Sequence, residues 1–169
     1  MKFNIEDKSI RKALAETAKF VDLGGNAEVE GLCVRKEGWK LVRDGNKATI
    51  EYSSRHTFFA ALKEPLVGTA FAENNPVIKR SGVMIDCARN AVMNVAAVKR
   101  YIVYLALLGY DYLELYVEDC LKVDDEECFG YMRGAYAKEE IREIDAYAQL
   151  FGIELIPCIP VSYTHLRAH

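Results

Sequence analysis

Residues 82–117 read GVMIDCARNAVMNVAAVKRYIVYLALLGYDYLELYV, and this stretch decides the fold. It opens on a short apolar run, 82–87. Residues 95–108 then carry Val98, Ile102, Leu105 and Leu108 at three- and four-residue spacing, which predicts a helix with one apolar face. Gly109 is the expected helix stop. A second apolar run covers 112–117. Helical spacing returns over 138–151 behind Glu139 and Glu140, acidic residues favoured at the positive end of a helix dipole. Gly152 ends that helix, and 153–159 (IELIPCI) is a third apolar run. Strand, helix, strand, helix, strand predicts a parallel sheet with right-handed crossovers. The runs start at 82, 112 and 153, so they lie 30 and 41 residues apart. A (β/α)8 barrel of about 250 residues allots about 31 to each unit and places the excess in its βα loops. Here the excess is the loop 118–137. A flavodoxin-like or Rossmann domain has the same rhythm, but no G-x-G-x-x-G follows the first run, so a dinucleotide would find no phosphate cradle.

Upstream the pattern changes near residue 76. Residues 9–20 place Ile10, Leu14, Ala18 and Val21 on or beside one helical face, and Gly24-Gly25-Asn26 stops them. Three strand-like runs follow, 29–35, 39–43 and 48–52. Glu37-Gly38 and Asp44-Gly45-Asn46 separate them as hairpin signals. RHTFFAALK, 55–63, is a second helix expected to stop before Pro65. The expectation is a small α+β domain over 1–76 with an antiparallel sheet, joined through the linker Ala72-Glu73-Asn74-Asn75-Pro76 to an α/β segment over 77–160. That second segment is read as an incomplete (β/α)8 TIM barrel, its first three strands and two helices.

Composition excludes several classes. The chain has 169 residues, with 22 Lys+Arg against 25 Asp+Glu for a net charge of −3. Of the residues, 51% are hydrophobic and 28% charged, which suits a packed domain rather than a disordered one. The slight acidity argues against nucleic acid as a partner, since binding it needs clustered Lys and Arg. Apolar runs break too soon for the ~20 residues of a membrane span, and the start, MKFNIEDKSIRK, has no apolar leader core. A cytoplasmic protein is therefore expected. Cys33, Cys87, Cys120, Cys128 and Cys158 are odd in number and form no CxxC pair, so they read as reduced thiols, mostly buried. The histidines, His56, His165 and His169, show no ligand spacing. Neither a metal nor a cofactor is implied.

Sites in parallel α/β folds form at the carboxyl ends of the strands. The first run ends in Asp86-Cys87-Ala88-Arg89-Asn90, the second in Glu118-Asp119 and the third near Ile159-Pro160. One rim thus gathers an arginine and three carboxylates. Carboxylates accept hydroxyl hydrogens and a guanidinium donates to two oxygens at once, so the rim suits a multiply hydroxylated ligand. Position alone leaves other roles open. Arg89 could be an ion-pair partner of Asp86 or Asp119, and Glu118-Asp119 a solvated loop start. Alternation groups Asp119 with Leu113, Leu115 and Val117, and Glu118 with Glu114 and Tyr116, without saying which set faces a barrel axis. Asp124-Asp125-Glu126-Glu127 lacks the glycine and spaced oxygens of a calcium loop. Phe129, Tyr131 and Tyr136, set among Gly130, Arg133 and Gly134, make an aromatic loop that either stacks on a sugar face or packs over the rim.

RSGVMIDCARN, 80–90, resembles the first barrel strand of glycoside hydrolase family 20, the β-N-acetylhexosaminidases, whose pattern there is R-G-x-M-L-D-x-x-R. LALLGYDYLELYVED, 105–119, is similar to that family's first helix end and second strand. FGYMRGAYAKEEIREIDAYAQLFGIELIPCI, 129–159, is similar to its next loop, helix and third strand. The likeness is greatest to the compact bacterial N-acetylglucosaminidase branch. The resemblance implies that Arg89 holds ring hydroxyls of a terminal sugar, that Asp119 supports the site, and that Glu118 stands beside it. It implies an N-acetylhexosamine-containing glycan as partner and substrate-assisted retaining hydrolysis, in which the substrate's acetamido oxygen attacks the anomeric carbon. An Asp-Glu pair carries that chemistry, the Asp orienting the acetamido group and the Glu acting as acid and then base. In the family the pair follows the fourth strand, so this chain is read as an N-terminal fragment, inactive by itself.

The pattern also breaks at residue 160, where the family continues with a short polar stretch and a histidine. His165 falls one place late and takes no role. SYTHLRAH, 162–169, is similar to a peptide that recurs at the ends of fragmentary gene models, so 161–169 is expected to be a non-native tail. Two other readings use the same residues: a noncatalytic sugar-binding or interaction module on the same rim, and a small flavodoxin-like domain with an unrelated ligand.

Overall fold

The computed structural model describes residues 1–89 and 91–159. Asn90, Pro160 and the tail expected to be non-native, with His165 and His169, lie outside the described residues.

The first part of the chain runs β1 (Lys2–Asn4), α1 (Lys8–Thr17), β2 (Glu28–Cys33), β3 (Trp39–Asp44), β4 (Lys47–Tyr52), α2 (Arg55–Leu66) and β5 (Phe71–Asn74). Its five strands stand in the order β1-β2-β4-β3-β5. The sheet is mixed rather than antiparallel: β1, β2 and β4 are parallel neighbours, and β3 runs against both β4 and β5. Of the two turn signals, only Gly45-Asn46 closes a hairpin. Asp44 pairs with Lys47 around a two-residue loop whose first position, Gly45, has φ 55°, the left-handed backbone such a loop demands. At Glu37-Gly38 the chain instead crosses to the far side of β4. The centre goes to β4 because its alternation is the cleanest, with Ala48, Ile50 and Tyr52 buried. Three residues expected to be linker, Ala72, Glu73 and Asn74, belong to β5 and pair with Leu41, Lys40 and Trp39.

Helix α1 starts on Asp7, whose carboxylate accepts the Ser9 and Ile10 N–H groups. Helix α2 starts on Ser54 with Thr57 in a reciprocal capping box. It runs through Pro65 to Leu66 instead of stopping short. Pro65 is buried in the last turn, and its carbonyl still accepts the Gly68 N–H at 3.3 Å.

The second part runs β6 (Gly82–Asp86), α3 (Val95–Leu108), β7 (Tyr112–Tyr116), α4 (Lys138–Phe151) and β8 (Glu154–Cys158). The strands form a parallel sheet in the order β6-β7-β8, in register Gly82↔Tyr112↔Glu154 through Asp86↔Tyr116↔Cys158. Strand order follows chain order, so the described sheet has no reversal of the kind a flavodoxin-like domain uses to bind its ligand. On α3, Val98, Ile102 and Leu105 are buried, but Leu108 at the helix end is 64% exposed, unlike the expected four-residue face.

The helices of both parts meet between the two sheets. Tyr52, Phe58, Phe59, Phe151 and Tyr147 form a chain of rings with successive centroids 5.3, 5.3, 4.9 and 5.4 Å apart. It leads from β4 through α2 to α4, and each buried Phe stabilises by roughly 1.5–3 kcal/mol. Polar contacts pin the same seam. Arg55 Nη1 donates to the Gln149 carbonyl at 2.9 Å, and His56 Nε2 donates to the Gly109 carbonyl at 3.0 Å. Gly152, which ends α4 at φ 74°, is doubly required, because a Cβ there would lie 2.7 Å from the His56 backbone nitrogen. Among the described residues no helix is long and apolar enough to cross a membrane.

Candidate functional site

The site is built where β6 and β7 end. Asp86, the last residue of β6, folds its carboxylate back on the next turn. Its Oδ1 accepts the Ala88 and Arg89 backbone N–H groups at 3.0 and 3.1 Å, and its Oδ2 accepts Arg89 Nη1 at 2.8 Å. Burial pushes the Asp86 carboxyl up, but the Arg89 N–H, the Arg89 guanidinium and the Ala88 N–H together outweigh it and hold the group below its ordinary value. The carboxylate in turn raises the guanidinium. The Arg89 guanidinium lies 4.9 Å from the centre of the Tyr116 ring, with Nη2 3.4 Å from the Tyr116 hydroxyl. Tyr116 is the register partner of Asp86, so Arg89 reaches across the tops of two neighbouring strands. Its side chain remains 68% exposed.

After β7 the chain turns at once. Glu118 has φ 45°, a left-handed backbone that costs a non-glycine residue about 1–2 kcal/mol. Asp125 and Met132 share it, at 64° and 58°, and all three lie in the loop that follows β7. Such strain concentrates at functional sites. Asp119 Oδ2 accepts Arg133 Nε at 3.1 Å, and Arg133 Nη1 donates to the Ala88 carbonyl at 3.0 Å. The loop base is closed separately: Tyr136 N donates to the Cys120 carbonyl, Lys122 N donates to that of Tyr136, and the Tyr136 hydroxyl donates to Met93.

Arg89, Glu118 and Asp119 therefore share the carboxyl end of the parallel sheet. Among the described residues no ion pair joins Arg89 to Asp119; the first takes Asp86 and the second Arg133. Leu113, Leu115 and Val117 are buried in the core on the helix side of the sheet. Met84, Asp86, Glu114, Tyr116 and Ile156 face the other way, and Met84 is 52% exposed. Gly82 matters on this face because the Tyr112 ring lies 2.3 Å from where a Cβ would stand.

Behind the rim, Cys87 and Cys120 are buried, and the Cys120 thiol lies 3.5 Å from the Cys87 carbonyl. Burial pushes both thiols up. Cys33 and Cys128 are exposed, so fewer thiols are buried than expected. Of the aromatic loop, Tyr136 is buried and Tyr131 is 72% exposed. The acidic run 124–127 is exposed, and among the described residues no group of three or more His, Cys, Asp or Glu could hold a metal ion. Sequence reasoning missed two contributors, Tyr116 and Arg133. Arg133 had a signal: it is the only Lys or Arg between Lys122 and Lys138, an isolated cation in an acidic loop.

No family model matches the sequence, and no curated protein matches it significantly. The fold does match solved structures. A GH20 β-N-acetylhexosaminidase from Streptomyces coelicolor A3(2) superposes with a TM-score of 0.72 at 20% identity, over 93% of this chain and 41% of that one. The Flavobacterium johnsoniae chitobiase FjGH20 gives 0.72 at 20% identity, over 93% and 31%. The Vibrio harveyi GH20 exo-β-N-acetylglucosaminidase, solved in complex with N-acetylglucosamine, gives 0.68 at 20% identity, over 92% and 32%. The chain thus spans from 31% to 41% of the length of these proteins. It has the fold of the N-terminal region of the family 20 β-N-acetylhexosaminidases.

Proposed function

We propose that this chain is the N-terminal part of a glycoside hydrolase family 20 β-N-acetylhexosaminidase that removes terminal N-acetylglucosamine or N-acetylgalactosamine from glycans. Residues 1–76 form the small leading module, and 77–160 supply the first three strands and two helices of a (β/α)8 barrel. The observation that carries this reading is the rim: Arg89 and the Glu118-Asp119 pair crown adjacent parallel strands of a sheet whose helices lie on one side. A parallel sheet is normally covered on both faces, and closure into a barrel covers the second one. The shared fold supports the same reading.

In the whole enzyme Arg89 grips the hydroxyls of the terminal sugar through donors not taken by Asp86. Asp119 and Glu118 accept hydroxyl hydrogens on the neighbouring strand. The substrate's own acetamido oxygen attacks the anomeric carbon while a glutamic acid protonates the departing oxygen. Water then opens the oxazolinium with retention of configuration. The Asp-Glu pair for those steps belongs after a fourth strand, so the 169-residue chain alone is expected to release nothing from a chromogenic aryl N-acetylglucosaminide.

The test is the uninterrupted gene downstream of codon 160 and the protein it encodes. An Asp-Glu pair after a fourth strand, with hydrolysis of the aryl N-acetylglucosaminide that Arg89→Ala lowers at least about a hundredfold, is the expected result. A gene without the pair, whose product binds N-acetylglucosamine in an Arg89-dependent way, would make the protein a noncatalytic sugar-binding module.

A further inference from the structure

We propose that Arg133 is a positioning residue: it sets the geometry of the sugar rim without touching the sugar. The inference rests on reading that rim as the sugar site. Arg133 joins the turn after β6 to the turn after β7 through its guanidinium, where the Cys120 thiol reaches the Cys87 carbonyl only as a weak donor at 3.5 Å. Its Nε holds Asp119 Oδ2 at 3.1 Å and its Nη1 holds the Ala88 carbonyl at 3.0 Å, one residue before Arg89. A guanidinium offers diverging donors in a rigid fork, so the two contacts fix a distance as well as a charge. With Oδ2 engaged, Asp119 keeps Oδ1 for a ligand hydroxyl; the Cys120 thiol approaches that oxygen only at 3.9 Å.

Fold maintenance is done by other groups. The base of the loop is held by the paired backbones of Cys120, Lys122 and Tyr136 and by the Tyr136 hydroxyl on Met93. The Arg133 side chain itself is 46% exposed, so its removal leaves no buried gap. The loop that Arg133 ties down also carries Tyr131 and Met132, both well exposed.

The test uses the protein encoded by the uninterrupted gene, with aryl N-acetylglucosaminide kinetics and a thermal unfolding midpoint for each variant. Arg133→Ala and Arg133→Gln are expected to raise KM about tenfold with kcat changed less than about threefold, the pattern of binding lost equally from ground and transition states. Arg133→Lys keeps the charge but offers one compact donor group, and it should recover part of the loss. In an Asp119→Ala background, Arg133→Ala should add less than about a twofold further rise, because the bridge between the two turns has already lost one end. An unchanged KM in a folded Arg133→Ala or Arg133→Gln protein overturns the inference and leaves the glycosidase reading standing. The same tenfold effect in the Asp119→Ala background overturns it too, since Arg133 would then act on something else. Should Arg133→Ala fail to fold, the Lys and Gln variants decide in the same way. A wild-type extended protein with neither glycosidase activity nor Arg89-dependent binding of N-acetylglucosamine sinks the sugar reading, and this inference with it.

Discussion

At the scale of single residues, the rim is an arrangement of charge in partial contact with water. Asp86 is the best placed of its acids to report on that arrangement. Two backbone N–H groups and the Arg89 guanidinium favour its ionised form over the opposing effect of burial. A carboxyl held below its unfolded value adds stability above the unfolded pKa, and that contribution fades as pH falls through the lower, folded one. The Asp86–Arg89 turn should therefore stay intact through the pH range where free aspartate protonates and loosen only in stronger acid. A carbon-13 titration of the Asp86 carboxyl is expected to show a midpoint below that of unfolded aspartate, and Arg89→Ala should move it upward. A midpoint at or above the unfolded value would contradict the geometry described for the turn.

Among the elements, α2 matters most to the packing, since it joins one sheet to the other. Phe59 is wholly buried and contacts Phe58 on one side and Phe151 on the other, with centroids 5.3 and 4.9 Å away. Phe59→Ala is expected to cost about 3–5 kcal/mol, read as a lower urea midpoint at unchanged slope. Elements of this kind were the most legible in the sequence. Helices α3 and α4 have 3.6-residue spacing over fourteen residues and a glycine stop, and their bounds match the expected ones. The short strands were harder to read. β1 is three residues long, too brief for alternation to register, and β5 is hidden by an Ala-Glu-Asn-Asn-Pro composition that reads as a turn. The parallel pairing of β2 with β4 was hidden as well, because Glu37-Gly38 has the residues of a hairpin and turn chemistry does not specify which strand becomes the neighbour. At the site, the strand-end rule located Asp86, Arg89, Glu118 and Asp119. It could not find Tyr116 or Arg133, whose contacts with Arg89 and Asp119 span 27 and 14 residues of chain.

For the molecule as a whole, the decisive feature is a single apolar core that runs from Ile5 under the first sheet to Ile153 beside the second. A sequence read as a fragment leads one to expect weak cooperativity, yet a continuous core argues that both parts unfold together. Trp39 lies in β3, so its fluorescence reports on the first sheet, while far-ultraviolet circular dichroism is dominated by the helices at the seam. The two signals are expected to share one urea midpoint; separate midpoints would mean that the seam is weaker than its ring contacts suggest. The seam also bears on how such a gene can be rearranged. A recombination event that cut between the codons for Asn74 and Gly82 would pass through a short, exposed connection, yet each product would inherit half of an oily joint built for the other. The leading segment is consequently a poor cassette for transfer to new hosts, and its descent should track that of the parallel-sheet segment it packs on.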